Sequence, residues 1–85
     1  MPSVEIYATP FCSYCFRAKR LLDSKGIEYK EHVVTYGGPE KQEMIQRSGG
    51  RTSVPQIFID GRHIGGCNEL MELDRRGELD ELLAA

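Results

Sequence analysis

Residues 9–16 read Thr-Pro-Phe-Cys-Ser-Tyr-Cys-Phe, and two cysteines three positions apart dominate this stretch. Upstream, apolar side chains alternate with other types over residues 4–8, a pattern typical of a β-strand. Downstream, apolar side chains recur at helical spacing over residues 18–22. The sequence therefore places Cys12 and Cys15 where a strand passes into a helix.

That position has consequences for the chemistry of the two thiols. The first turn of a helix has backbone N–H groups without partners and carries the positive end of the helix dipole, so a thiol held there ionises to the reactive thiolate more readily. Cys12 falls at the tip of the predicted helix, whereas Cys15 shares a helix face with Ala18 and Leu22 that must point to the core. We predict that Cys12 is the nucleophile and Cys15 the sheltered resolving partner.

A Cys-x-x-Cys motif also occurs in metal sites and in static disulfides. A zinc site would need a second pair of ligands, and the remaining candidates, Cys67, His32 and His63, do not lie at zinc-ligand spacing from one another. A static disulfide is disfavoured by the strand-to-helix context and by the absence of other paired cysteines. A redox role is the favoured interpretation, and no metal site is predicted. Both histidines are expected to be solvent-facing strand residues, and Cys67 a small packing residue.

Length and composition set the broad class of the protein. With 85 residues the chain is long enough for one domain with one modest core, so we predict a single domain over residues 1–85. A net charge of −2 gives no indication of nucleic-acid binding, and no apolar run is long enough to span a membrane. The first residues do not resemble a signal peptide, so the expected compartment is the reducing cytoplasm, where a Cys-x-x-Cys motif is more often catalytic than structural.

The order of predicted elements is β-α-β-α-β-β-α. Strands are predicted at residues 3–7, 27–33, 56–59 and 62–64, and helices from Cys12 or Ser13 to about residue 25, from Pro39 to before residue 49, and from an Asn68-Glu69 cap to Gly77, with a last helical turn or two over residues 79–83. A strand, a helix and a strand this close form a right-handed unit with parallel strands, and Asp60-Gly61 is a strong hairpin signal. We predict an α/β fold with a four-stranded mixed sheet flanked by helices.

This order resembles the thioredoxin fold, and its details resemble the glutaredoxin family over essentially the whole chain, in the short bacterial class. The matching segments are Cys12-Ser13-Tyr14-Cys15, then Thr52-Ser53-Val54-Pro55-Gln56-Ile57-Phe58-Ile59, then Gly65-Gly66-Cys67-Asn68-Glu69. Three separated segments in the right order make this resemblance specific.

The resemblance implies that Cys12 forms a mixed disulfide with glutathione and that Cys15 resolves it. The residues that match glutathione-binding positions of the family are Tyr14, Lys41, Ser53, Val54, Pro55, Gly66, Cys67, Asn68 and Glu69. In that family Pro55 would follow a cis peptide bond, and the Val54 backbone would pair with the cysteinyl part of glutathione like an added strand. Residues 66–69 would hold the γ-glutamyl end at a helix N-terminus, and Lys41 would meet the glycine carboxylate. Phe11 is expected to form a wall of the groove.

Three positions depart from the family pattern. Ser13 replaces the usual proline between the cysteines, which restores an N–H group at the helix start and should favour the Cys12 thiolate. Thr9 stands where many relatives carry a lysine near the active site, so one expected contact with a glutathione carboxylate is in doubt. Asn68 replaces an aspartate, so it accepts from the glutathione amino group without the help of a charge.

The leading functional prediction is a glutathione-dependent thiol–disulfide oxidoreductase. It would act as a monomer on glutathionylated or disulfide-containing proteins, with no nucleic-acid or membrane partner. The alternative is a homodimer that binds a [2Fe–2S] cluster through Cys12 of each chain and two glutathiones, which Ser13 keeps open because replacement of the proline is linked with that ability in parts of the family. A thioredoxin-like reductant fed by a reductase is a third hypothesis, and the lack of a tryptophan before Cys12 argues against it.

Overall fold

The sheet and its helices follow the predicted order, with one helix more. The computed structural model describes residues 2–84. Its elements are β1 Val4–Ala8, α1 Ser13–Ser24, β2 Lys30–Val33, α2 Pro39–Arg47, β3 Gln56–Ile59, β4 Arg62–Gly65, α3 Cys67–Arg75 and α4 Glu78–Ala84. Within these residues no helix has the length and the apolar character that crossing a lipid bilayer requires.

The four strands form one mixed sheet in the order β2-β1-β3-β4. Strand β1 runs parallel to β2 and antiparallel to β3, with Ile6 opposite Ile57, and β3 pairs with β4 antiparallel. The hairpin between β3 and β4 turns at Asp60 and Gly61, which have positive φ angles of 52° and 79°, as a two-residue hairpin requires. The predicted mixed sheet of the thioredoxin fold is confirmed.

Alternate residues of β1 and β3 face opposite layers because side chains on a strand point to alternate sides. Ile6 and Ile57 belong to a core cluster with α1, α3 and α4, whose members include Leu22 and Leu79. The other face of the sheet contributes Tyr7 and Phe58 to a smaller cluster that also contains Val34 and Met44 of α2. Helices therefore cover both faces, and the C-terminal end of β1 delivers the Cys-x-x-Cys motif to the start of α1.

Several boundaries differ from the predictions, those of β1 and β4 by one residue. Strand β2 begins at Lys30 and not at residue 27, because the Ile27 N–H donates to the Leu22 carbonyl at 3.1 Å and completes the end of α1 around Gly26. Helix α3 begins one residue before the predicted cap, since Gly66 in extended conformation is the N-cap. As predicted, α3 ends before Gly77, whose φ of 76° breaks the helix, and the last helical turns form α4.

Candidate active site

Cys12 is the N-cap residue of α1 and has an extended backbone. Its Sγ accepts a hydrogen bond from the backbone N–H of Cys15 at 3.1 Å, and its carbonyl accepts the Phe16 N–H at 3.0 Å. The sulfur therefore lies at the positive end of the helix and accepts a hydrogen bond from one of the N–H groups that lack a partner within the helix. Cys12 is partly exposed, so a second sulfur can approach it.

The other two cysteines are sheltered. Cys15 is 1% exposed and packs in the core beside Ala18, as its helical phase predicts. Burial, together with the neighbouring Cys12, raises the pKa of Cys15 to about 11. Burial also raises the pKa of Cys67, which is 4% exposed, and this fits its predicted role as a packing residue. All three cysteines are free thiols.

A cavity of about 140 Å³ lies at the start of α3. It is lined by Tyr14, Arg51, Ser53, Val54, Pro55, Gly66, Cys67, Asn68 and Glu69. Every predicted glutathione-binding residue except Lys41 is in this set, although the residues come from three distant parts of the chain. Cys12 lies two residues before Tyr14 and close enough for its charge to act on Cys67, so its partly exposed sulfur lies next to this cavity.

The loop before β3 is held by a buried amide that the sequence reasoning missed. The Val54–Pro55 peptide bond is cis, as the resemblance implies. Gln56 is fully buried, and its Nε2 donates to the Ser53 carbonyl at 3.0 Å and lies 3.3 Å from the Ser53 Oγ. Its Oε1 lies 2.7 Å from His63 Nε2, which must be the donor because an amide oxygen only accepts. His63 thus holds the Gln56 amide, and the hydrogen bonds from Gln56 Nε2 fix the position of Ser53.

The sequence suggested that His63 faces solvent, but His63 is half-buried and is a hydrogen-bond partner of Gln56. Its ring packs on Phe58, with centroids 5.1 Å apart, and burial with the nearby Arg51 charge lowers its pKa. One sequence signal could have revealed this pair. Gln56 is a polar residue in an otherwise apolar strand, and buried polar groups need hydrogen-bond partners.

A partly exposed carboxylate holds the start of α3 in place. Glu69 Oε1 accepts from the Gly66 N–H at 2.6 Å and from Arg51 Nη1 at 2.9 Å, and these two donors hold the pKa of Glu69 below its ordinary value. Gly65 has a φ of 125°, and a Cβ there would lie 2.5 Å from Glu69 Oε1, so only glycine leaves room for this brace. Among residues 2–84, Arg51 is the one residue lining this cavity that the sequence reasoning missed.

The family model named Glutaredoxin matches residues 4–64 of the chain. The chain belongs to the glutaredoxin family. Glutaredoxin 3 of Escherichia coli strain K12 is 55% identical over 83 residues, which cover 98% of this chain and 99% of that relative. A glutaredoxin of Pseudomonas aeruginosa is 48% identical over 85 residues and matches along the full length of both chains. The crystal structure of a buckwheat glutaredoxin–glutathione complex is similar, with a TM-score of 0.86, 31% identity, and coverage of 98% of this chain and 77% of that one.

These findings confirm the family and the thioredoxin fold that the sequence motifs indicated. They also establish the general class of activity, since glutaredoxins are glutathione-linked thiol–disulfide oxidoreductases. The placement of the motif agrees with that class, because Cys12 and Cys15 are joined by the N–H to Sγ hydrogen bond across the first turn of α1.

Two residues of this glutaredoxin lie away from the cavity that the motifs form. Lys41 is on α2 and does not line the cavity, whose only lining cation among residues 2–84 is Arg51. The expected wall at Phe11 is wrong: the side chain is fully exposed and is not among the lining residues. Phe11 lies in the loop between β1 and α1, directly before Cys12, the N-cap residue of α1.

The sequence suggested that His32 faces solvent, but His32 is half-buried and packs against neighbouring side chains. Its ring stacks on Tyr7, with centroids 4.4 Å apart, and its Nε2 lies 3.1 Å from Glu5 Oε1. It belongs to a polar network on the face of the sheet that carries α2, and it takes no part in the thiol site.

Proposed function

We propose that this glutaredoxin reduces protein–glutathione mixed disulfides, and protein disulfides, through the Cys12 thiolate, with glutathione as the reductant. One observation carries the proposal. Of the three thiols, only Cys12 is both partly exposed and hydrogen-bonded by an N–H group at a helix start, whereas Cys15 and Cys67 are buried. Because exchange rates depend on thiolate fraction and access, Cys12 makes the first attack.

In the first step the Cys12 thiolate attacks the glutathione sulfur of a mixed disulfide. A bond forms between Cys12 Sγ and that sulfur, the substrate S–S bond breaks, and the substrate cysteine leaves as a thiolate that takes a proton from water. The thiolate of a second glutathione then attacks the glutathione sulfur on Cys12. Oxidised glutathione forms, and the electron pair of the broken bond returns to Cys12 Sγ.

For a protein disulfide, Cys12 becomes joined to the substrate cysteine and Cys15 resolves the intermediate. The Cys15 thiolate attacks Cys12 Sγ, the reduced substrate leaves, and two glutathiones then reduce the Cys12–Cys15 disulfide. Burial raises the pKa of the Cys15 thiol to about 11, so its thiolate is scarce at neutral pH and this step is slowed. That favours the route in which a second glutathione acts directly.

Glutathione would occupy the cavity at the start of α3. The similar buckwheat structure is a glutathione complex, and here the predicted binding residues converge on one cavity. The first two residues of α3, Cys67 and Asn68, have backbone N–H groups without partners inside the helix, which suits the γ-glutamyl carboxylate. The Val54 backbone would pair with the cysteinyl part, and Lys41 stays the predicted partner of the glycine carboxylate. We place this activity in the cytoplasm, in a monomer.

The cluster-binding alternative needs more than one chain. A [2Fe–2S] cluster takes four ligands, usually thiolates. Among residues 2–84 no group of three or more histidine, cysteine or acidic side chains could hold a metal ion, and Cys15 and Cys67 are buried. One chain therefore offers Cys12 alone, so a cluster would need a pair of chains and two external thiols.

The proposal is tested with Cys12→Ser and Cys15→Ser beside wild type. The assay follows glutathione release from a glutathionylated peptide, coupled to glutathione reductase. Cys12→Ser should lose activity by about a thousandfold or more, because no other exposed thiol can attack. Cys15→Ser should keep deglutathionylation and lose reduction of protein disulfides. Equal loss in both variants on the glutathionylated peptide would mean an obligatory dithiol mechanism and would overturn the single-thiol route.

A further inference from the structure

Two arginines on α1 carry charges that the protein itself does not neutralise. Lys19 of this helix and Lys25 at its C-cap are paired: Lys19 lies 2.7 Å from Glu31, and Lys25 lies 2.8 Å from Asp74. By contrast, Arg17 and Arg20 form no ion pair with any carboxylate of residues 2–84. Both are exposed, in a protein whose net charge is −2. Two uncompensated cations on an acidic protein form a local field that attracts carboxylates.

These arginines border a depression between α1 and α3, which we call the arginine groove. It has a volume of about 350 Å³ and is lined by Arg17, Arg20, Leu21, Ser24 and Met71. Leu21 and Met71 are half-buried and pack against the main core, so the groove has an apolar floor beside the two arginines of α1. That combination suits a polypeptide with apolar and acidic side chains.

The arginine groove is continuous with the thiol site. An adjoining depression shares Arg17 and Met71 with the groove and reaches Asn68, which also lines the cavity at the start of α3. Exposed aromatic rings border the same helix. The Arg20 guanidinium lies 5.8 Å from the ring centre of Phe16, which is 60% exposed. Aromatic and arginine side chains are the residue types that anchor protein partners most strongly.

We propose that the arginine groove docks an acidic segment of the polypeptide substrate, near the cysteine that Cys12 attacks; this rests on the function proposed above. Glutathione would fill the cavity at the start of α3, so the groove remains for the rest of the substrate. Guanidinium groups bind carboxylates through paired hydrogen bonds, which makes Arg17 and Arg20 selective for glutamate and aspartate. The negative charge of the rest of the protein repels such a segment and so orients it toward the groove.

The test uses two glutathionylated peptides of equal length that differ only beside the cysteine, where one carries glutamates on both sides and the other glutamines. Wild type should turn over the glutamate peptide with a kcat/KM about tenfold higher at low salt, and the advantage should shrink as salt rises. The double variant Arg17→Glu, Arg20→Glu should lower kcat/KM for the glutamate peptide about tenfold or more and change that for the glutamine peptide less than about twofold.

Lys30→Glu is the control for charge reversal: it makes half the charge change of the double variant, at the start of β2, the end of the parallel strands away from Cys12. It should leave the preference for glutamate unchanged. Equal losses on both peptides would show that the arginines serve glutathione, and equal losses in the Lys30 variant would show an effect of net charge only. Either result, or no preference in wild type, overturns the proposal.

A binding measurement separates this proposal from the function on which it rests. Cys12→Ser protein is titrated with a glutamate peptide in which serine replaces cysteine, and amide NMR shifts are followed. Shifts at Arg17, Arg20 and Met71 support docking even if neither glutathionylated peptide is turned over, which would contradict the proposed activity alone. Shifts that avoid these residues overturn the docking proposal whatever the activity.

Discussion

The two faces of the sheet are stabilised by different physical effects. The face that carries α1 and α3 is apolar, with Ile6, Leu22 and Leu70 fully buried in one cluster. The face that carries α2 is built around a charge, because the Arg47 guanidinium lies 4.1 Å from the centre of the Phe58 ring and donates to the Tyr7 hydroxyl at 2.8 Å. The first face depends on shape, and the second depends on hydrogen bonds and charge.

The polar side chains on the α2 face are connected by hydrogen bonds and ion pairs. Arg47 binds Glu5 through both terminal nitrogens, at 3.1 and 2.9 Å, and the Tyr7 hydroxyl donates to Glu43. The guanidinium holds the pKa of Glu5 at about 2, and burial with the Glu43 contact raises the pKa of Tyr7 to about 12. His32 completes the network on Glu5. Both faces reach the thiol site, the apolar one through Cys15 and the polar one through Gln56.

The largest loss of stability is expected from the apolar face. Leu22→Ala removes a fully buried side chain and leaves a cavity, so the free energy of unfolding should fall by about 3 kcal/mol. Val33→Ala is the control, since Val33 is 52% exposed, and it should cost less than about 1 kcal/mol. Urea denaturation measures both. A loss below about 1 kcal/mol for Leu22→Ala would mean that this face does not dominate stability.

A smaller loss is expected when the cation of the polar face is removed. Arg47→Leu leaves Glu5 and the Tyr7 hydroxyl without their main partner and should cost about 2 kcal/mol, less than a fully buried pair because the Arg47 side chain is 26% exposed. The control Arg75→Leu removes a pair with Glu72 on a side chain that is 78% exposed, and its cost should stay below about 0.5 kcal/mol. Equal costs by urea denaturation would show that the network adds nothing beyond surface charge.

The polar face should also make the free energy of unfolding depend on pH in the acidic range. Glu5 has an ordinary pKa of 4.5 and a pKa of about 2 in the folded protein. As pH falls below about 4.5 the unfolded chain binds a proton that the folded protein resists, so stability present above that pH is lost until the folded pKa is reached. Between about pH 6 and pH 3, wild type should lose about 1 kcal/mol more stability than Glu5→Gln. Parallel curves for the two proteins would contradict the role of Glu5.

The smallest effect is expected where the polar face meets the thiol site. Gln56→Ala removes the donor that holds Ser53 and should raise KM for a glutathionylated peptide about fivefold, the equivalent of one hydrogen bond, while kcat changes little. Gln42→Ala, an exposed amide on α2, is the control and should leave KM unchanged. A fall in kcat with KM constant would instead mean that Gln56 acts on the reacting sulfurs.

Local patterns were sufficient for much of the architecture. The helical phase of Cys15 with Ala18 correctly predicts which cysteine is buried, and Asp60-Gly61 correctly predicts the hairpin, because both depend on backbone geometry over a few residues. The family motifs named every residue of the cavity except Arg51. That side chain was missed because its partner, Glu69, is 18 positions away, and no short motif describes such a pair.

By itself, the sequence determined the order of strands and helices, the mixed sheet and the difference between the two cysteines, since the period of apolar residues and the position of a thiol at a helix start are local properties. Only the tertiary structure decided which long polar side chains are satisfied. Arg47 finds Glu5 across 42 positions, whereas Arg17 and Arg20 find no carboxylate among residues 2–84. Ion-pair partners that are far apart in the sequence come close only in the folded chain, so spacing along the sequence does not predict which side chains pair.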